Sequence, residues 1–207
     1  MLLLHPTFFA PIVQYVALLS ADEVTFERED NFQKQTYRNR CYIAGPNGKQ
    51  LLSVPVQHSR GKGRQKTKDV KLDNSFRWQK NMLRSLEASY RSSPFFEFYE
   101  DDIRPVFEKR FESLIDLNLA TMEVVNSCLE LQLAFDFTHS YQEHVEMNDL
   151  RGLVDAKSNV HYEFSPYKQV FEGRNGFLSN LSILDLLFNE GPNAPDYLQK
   201  HAPLLEL

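Results

Sequence analysis

Cysteine, glycine and tryptophan are scarce in this chain of 207 residues, with 2, 8 and 1 of each. Cys41 and Cys128 stand in unrelated contexts, with no Cys-x-x-Cys pair, which leaves no basis for a disulfide framework or a zinc module. They read as two buried, reduced thiols. The six histidines (5, 58, 139, 144, 161 and 201) form no His-Glu-x-x-His pair, and His139 and His144, five apart, suit neither a helix face nor a strand face. No metal site is expected, and the cofactor is left open. Ten prolines outnumber the glycines, which argues for defined turns and against flexible linkers. There is no internal repeat or low-complexity tract, so residues 1–207 read as one domain.

Long apolar runs are also missing. Met1-Leu2-Leu3-Leu4 carries no Lys or Arg and is interrupted by His5, Pro6, Pro11 and Gln14, so it does not read as a signal peptide. Nothing later reaches the length of a membrane span. The expected compartment is the cytoplasm. Net charge is −5, and no nucleic-acid module is recognisable, which disfavours a nucleic-acid partner.

What is present is a globular composition, 42% hydrophobic and 25% charged, with 16 Phe and 9 Tyr to build an aromatic core. The charge is unevenly spread. Residues 33–71 hold ten Lys/Arg against the single acid Asp69, a local +9, so the remainder carries −14. Such asymmetry marks either an anion site or a solvated basic face.

Leu2-Leu3-Leu4 reads as a buried strand, a helix follows from Pro11 with Ile12, Tyr15, Val16 and Leu19 in phase, and Val24-Thr25-Phe26 reads as a second strand. Strand, helix, strand implies a parallel pair. Arg40–Ala44 and Leu51–Val54 flank Gly45-Pro46-Asn47-Gly48 as a hairpin. Val70 and Leu72 suggest a short return strand.

Trp78, Met82, Leu86 and Tyr90 repeat every four residues on a helix that Asp73 or Ser75 can cap. Ile103, Phe107, Phe111, Leu114, Met122 and Val125 read as one stripe on a second helix. Asp101 and Asp102 would lie near its start, with Pro105 in its first turn. Leu131–Phe135 and Val160–Phe164 alternate like strands, residues 138–158 resist assignment, and Ser182 caps a last helix. The fold class expected is α/β: a mixed, partly parallel sheet opened by a βαβ unit, an added hairpin and two long amphipathic helices.

Several stretches resemble the bacterial WbqC-like family, in order along nearly the whole chain. They are His5-Pro6-Thr7-Phe8-Phe9-Ala10-Pro11 with Tyr15 and Ala21-Asp22, then Asp30-Asn31-Phe32-Gln33-Lys34 running to Tyr37-Arg38-Asn39-Arg40, then Leu52–Val56. Trp78-Gln79-Lys80, Tyr90 with Ser93-Pro94-Phe95-Phe96, and Leu181–Gly191 complete the series. His5 and Gln14 depart from the family's usual Gln-Pro opening and Gly-Tyr pair, and a stretch many members carry before the last motif is missing. The resemblance implies a largely uncharacterised protein associated with surface-polysaccharide (O-antigen) genes, for which a glycine transferase role has been proposed in some members.

The candidate site follows from residues and resemblance together. Lys34, Arg38 and Arg40, spaced four and two apart, point the same way in extended chain and, with Asn39, form either a cradle for phosphate or carboxylate or a solvated edge. His5, at the end of the first strand, is placed for a general base or for a strand-ending backbone contact. Asp30 is the second catalytic candidate, and Asp22 is a substrate-binding candidate. The Gly61-Lys62-Gly63-Arg64 loop lacks the phosphate-loop pattern. Asp185, amid apolar residues, needs a partner, expected to be basic. The function expected is an aminoacyl- or glycyl-type group transfer to a phosphate- or carboxylate-bearing sugar precursor in surface-glycan synthesis. The alternative is a non-catalytic anion-binding or scaffold protein. The small-molecule partner is anionic, and oligomeric state is left open.

Overall fold

In the computed structural model, which describes residues 1–57 and 63–205, Leu2–Leu4 (β1) and Val24–Phe26 (β2) pair in parallel with Leu4 opposite Phe26. The helix between them, Ile12–Leu19 (α1), buries every residue from Ile12 to Leu18. A helix apolar on nearly all faces belongs inside a core. Its polar exception, Gln14, is satisfied: its Nε2 donates to the His5 carbonyl at 2.9 Å and its Oε1 accepts from Thr7 Oγ1 at 3.0 Å.

Arg40–Gly45 (β3) and Gly48–Ser53 (β4) form an antiparallel hairpin turned by Pro46-Asn47, with Gly48 at φ +102°. That backbone angle is why a glycine stands there. Val70 and Leu72 form no continuous strand; Val56 and Leu72 make one antiparallel bridge. Phe135–Phe137 (β5) and Asn148–Asp149 (β6) complete a four-stranded parallel sheet in the order β5-β2-β1-β6. The architecture is mixed α/β, a parallel sheet plus a hairpin with helices packed around them.

Trp78–Tyr90 (α2) buries Trp78, Met82, Leu86 and Tyr90, the expected stripe. Its N-cap residue is Arg77, with no side-chain cap; Asp73 instead accepts from the backbone and hydroxyl of Ser75. The stripe from Ile103 to Val125 belongs to two helices, Phe96–Glu108 (α3) and Leu114–Cys128 (α4), which correct the expected single one. Asp101 and Asp102 are thus inside α3, and Pro105 is in its second half rather than its first turn. The ring sits on the exposed face, and the carbonyl it leaves without a donor belongs to exposed Asp101, where water can serve. Ser113 restarts the helix by accepting from Asp116 N.

Leu131–Ala134 precede β5 without pairing, and Val160–Phe164 run irregularly, so neither expected strand forms as drawn. The one-turn Glu172–Asn175 (α5) is followed by Ile183–Glu190 (α6), whose Ser182 cap accepts from Leu184 N, and by Ala194–Lys200 (α7). Phe188 of α6 meets the rings of Tyr90 and Phe96, both at 5.0 Å, which locks α2, α3 and α6 together. Gly191 ends α6 at φ +54°, and a Cβ there would lie 2.5 Å from the Phe95 ring.

Asp185 is wholly buried, but its partners are not basic. Tyr90 and Tyr167 donate hydroxyls at 2.8 and 2.5 Å, and Gln169 Nε2 donates at 2.8 Å. Three neutral donors replace the expected cation, and burial pushes the carboxyl above its usual value. Tyr90 OH also accepts from Ala44 N at 3.0 Å, so the hub ties the hairpin to the helices. Cys41 is buried as expected, whereas Cys128 is only half-buried; both are free. No helix among the described residues is long and apolar enough to cross a membrane.

Candidate functional site

The four parallel strands deliver polar side chains to one edge of the sheet. His5 follows β1, Glu27 follows β2, Thr138 follows β5, and Arg151 lies two residues beyond β6. Open α/β sheets gather their ligands at this carboxyl edge.

At its centre lie His5, Asp30 and Arg38, all buried. Arg38 Nη2 donates to Asp30 Oδ2 at 2.5 Å and sits 2.9 Å from His5 Nε2. Asp30 Oδ1 accepts from Thr67 Oγ1 at 2.6 Å. His5 Nδ1 lies 3.3 Å from the Glu27 carbonyl. A proton on Nδ1 satisfies the Glu27 contact, while Arg38 Nη2, also 3.2 Å from Nδ1, lies against the ring and leaves the Nε2 lone pair direction open. Burial first, then the Arg38 charge, pushes the imidazole well below its usual value, so it is neutral near pH 7. Burial raises the Asp30 carboxyl, with Arg38 and Thr67 pulling the other way.

Beside this trio, Glu27 Oε1 accepts from Glu29 N at 2.6 Å and Thr138 Oγ1 at 2.8 Å, and its Oε2 lies 3.5 Å from Arg151 Nη1. Arg151 grips Asp149 through Nε and Nη2 at 2.9 and 2.6 Å and donates to the carbonyls of Gln142 and Glu143. One guanidinium thus organises the polar segment that resisted assignment. Lys66 and Lys68 clamp Glu29 at 2.8 and 2.7 Å and hold its carboxyl down to about 2.

Asn118, buried on α4, donates from Nδ2 to the carbonyls of Pro6 at 3.1 Å and Arg38 at 2.9 Å. It therefore fastens the loop after β1 to the loop carrying Arg38. Phe8 N donates to the Tyr37 carbonyl at 2.9 Å in support.

A cleft of about 410 Å³ opens over this centre, with His5, Asp30, Arg38 and Arg151 below and Lys34, Tyr141 and Lys157 at the sides. Lys34 and Lys157 are exposed and have no ion-pair partner among the described residues. A second cleft of about 500 Å³ lies across the Lys34–Gln35 turn and is lined by Asn39 and Arg40.

The sequence candidates are therefore divided. His5, Asp30, Arg38 and Lys34 share the first cleft. Arg40 and Asn39 line the second, because residues 34–39 turn, with Gln35 at φ +64°, and are not the extended strand that would align Lys34, Arg38 and Arg40. Arg38 is only 1% exposed and lies at the floor of the first cleft, paired with Asp30. Asp22 is exposed and precedes β2, at the opposite edge of the sheet. The basic loop falls largely outside the described residues, with only Gly63 and Arg64 inside them.

Glu27, Asn118, Thr138 and Arg151 were missed. Glu27 had a readable signal: it follows the second strand as His5 follows the first, and the two strands pair in register. Arg151 had none, lying beyond a two-residue strand in an unpatterned polar stretch.

The fold and this edge-of-sheet cluster define an α/β protein with a basic cleft at its carboxyl edge. The chain belongs to the WbqC-like protein family, whose model matches residues 6–161 and 156–197. It is also similar to an uncharacterized protein of Mycobacterium tuberculosis, Rv1507c, at 27% identity over 86% of this chain and 88% of that protein. No solved structure matches.

Proposed function

We propose that the chain transfers an aminoacyl- or glycyl-type group to a phosphate- or carboxylate-bearing sugar precursor of surface-glycan synthesis, in the cleft above Asp30. The observation that carries this reading is the position of Asp30. Its carboxyl, its proton affinity raised by burial, faces a cleft at the carboxyl edge of the sheet beneath two lysines that have no ion-pair partner among the described residues. Lys34 and Lys157 hold the anionic group of the sugar by charge. Asp30 takes the proton that an acceptor amine or hydroxyl loses as it attacks the acyl carbon, and the donor's carrier leaves. Arg38 and Thr67 fix the carboxylate in place. His5 positions Arg38, whose Nη2 lies against the imidazole ring. The pathway itself follows from the family resemblance.

The binding-only reading is favoured by the depth of the trio: all three side chains are buried, and Arg38 and Thr67 already engage both oxygens of Asp30. The two are separated by incubating the protein with a nucleotide-linked amino sugar and an activated amino acid and weighing the products. The transfer reading expects an aminoacylated sugar, lost in Asp30→Asn. Saturable binding without product establishes the binder instead. In either case inorganic phosphate should raise the melting temperature, less so as salt increases, and Lys34→Ala with Lys157→Ala should cut the gain.

A further inference from the structure

We propose that the cleft across the Lys34–Gln35 turn is a second oxyanion subsite, built on Arg40 and Asn39, for a small carboxylate- or phosphate-bearing ligand. It rests on the transfer reading in one respect: a group transfer has two reactants, and this cleft gives the second one a place.

The cleft encloses about 500 Å³ between Phe32, Lys34 and Arg40 on one side and Pro55, Val56 and Asp73 on the other. Arg40 opens β3, where pairing with Ser53 of β4 fixes its backbone. A cation on a rigid strand loses less freedom on binding than one on a loop. Among the described residues, no carboxylate lies within ion-pair distance of Arg40, and its Nε is buried without a hydrogen-bond partner. Asp73, the acid on the wall, is engaged by the backbone and hydroxyl of Ser75.

Asn39 adds an independent observation. Its side chain is 8% exposed, and its Nδ2 is committed to the Val54 carbonyl at 2.9 Å. Its Oδ1 is buried without a partner. Native proteins seldom leave such an acceptor unmet, and two unmet groups on adjacent residues of one wall mark a place where a polar partner belongs. The guanidinium suits an oxyanion in a bidentate contact, and Asn39 Oδ1 suits a hydroxyl or N–H borne by the same ligand or by a water it orders. Phe32, Pro55 and Val56 offer an apolar flank.

Lys34 and Gln35 border both clefts. Gln35 holds φ +64° without being a glycine, in the turn between the two clefts. Two oxyanions bound on either side of it therefore share Lys34, so the subsites are coupled.

The test uses isotope-labelled whole protein titrated with inorganic phosphate and, separately, with acetate, with backbone amides followed by NMR. Amides of Arg40, Ser53 and Gln57 should shift as one group, and those of Thr36, Gly152 and Lys157 as another. Arg40→Gln should weaken the first group's response about tenfold and spare the second, while Arg40→Lys should restore much of it. Lys157→Ala should do the reverse, and Lys34→Ala should weaken both. The tighter of phosphate and acetate names the ligand class. If only the second group shifts, the proposed subsite is wrong and the first cleft stands. If only the first group shifts, this subsite stands and the first cleft's reading fails. No shift in either overturns both. Thermal unfolding of Arg40→Gln guards against loss of fold, and a folded variant whose titration matches the parent also overturns the proposal.

Discussion

Arg38 Nη2 lies 2.9 Å from His5 Nε2 and 3.2 Å from its Nδ1, so the guanidinium rests against the imidazole ring. The same nitrogen holds Asp30 at 2.5 Å. One guanidinium nitrogen thus ties the imidazole to the carboxylate, and the two proton-transfer candidates of the sequence share a single support.

Removing one partner of the Asp30–Arg38 pair should be far worse than removing both. Arg38→Met leaves a buried carboxylate with Thr67 as its side-chain hydrogen-bond donor among the described residues and the neutral His5 ring 3.7 Å away, and should cost about 3–5 kcal/mol in urea denaturation. Asp30→Leu combined with Arg38→Met should recover much of that loss, since two charges no longer need burial. Additive losses in the double variant would show that the two residues act independently, contrary to their geometry.

Where apolar spacing decides the structure, the chain reads directly. β1, α1 and β2 follow from Leu2–Leu4, the Ile12–Leu19 period and Val24–Phe26, because burying those faces allows one arrangement. The hairpin follows from Pro46-Asn47-Gly48. What did not read was decided by single polar contacts. Residues 138–149 are gathered by Arg151 through two backbone carbonyls and two carboxylates, which leave no periodicity. The site was half legible for the same reason. His5 and Asp30 stand at strand ends, but a left-handed turn at Gln35, unmarked by glycine, sends Arg38 and Arg40 to different clefts.

Asn118 tests whether the site is held from behind. Its two donated hydrogen bonds join the Pro6 and Arg38 carbonyls, and no other side chain bonds to either carbonyl among the described residues. Asn118→Ala should cost about 1–3 kcal/mol, the worth of buried carbonyls left unmet. Asn118→Asp keeps the shape but turns a donor into an acceptor, and at neutral pH it should cost more than Asn118→Ala. Phosphate affinity in the first cleft should fall in both, although Asn118 does not line it. Unchanged stability in Asn118→Asp would mean that the loops are fastened by other contacts.

His5→Gln separates support from catalysis through pH. The folded-state pKa of His5 lies well below its usual 6.5, so between those two values the unfolded chain binds a proton that the native protein does not. Stability therefore rises with pH through that window, by up to about 1.4 kcal/mol per pH unit, and levels off above roughly 6.5. Asp30, whose carboxyl is raised, acts with the opposite sign from its ordinary value of 3.8 upward, so the parent curve mixes the two effects. The difference between parent and His5→Gln isolates the histidine. Glutamine can still accept from Arg38 and donate to the Glu27 carbonyl, so the variant should lose only about 1 kcal/mol at pH 8. On going from pH 7 to pH 5 its urea midpoint should fall less than the parent's. Under the proposal that Asp30 takes the proton, transfer activity should persist with an unchanged pH profile. A folded, phosphate-binding His5→Gln protein without turnover would instead return the base to His5.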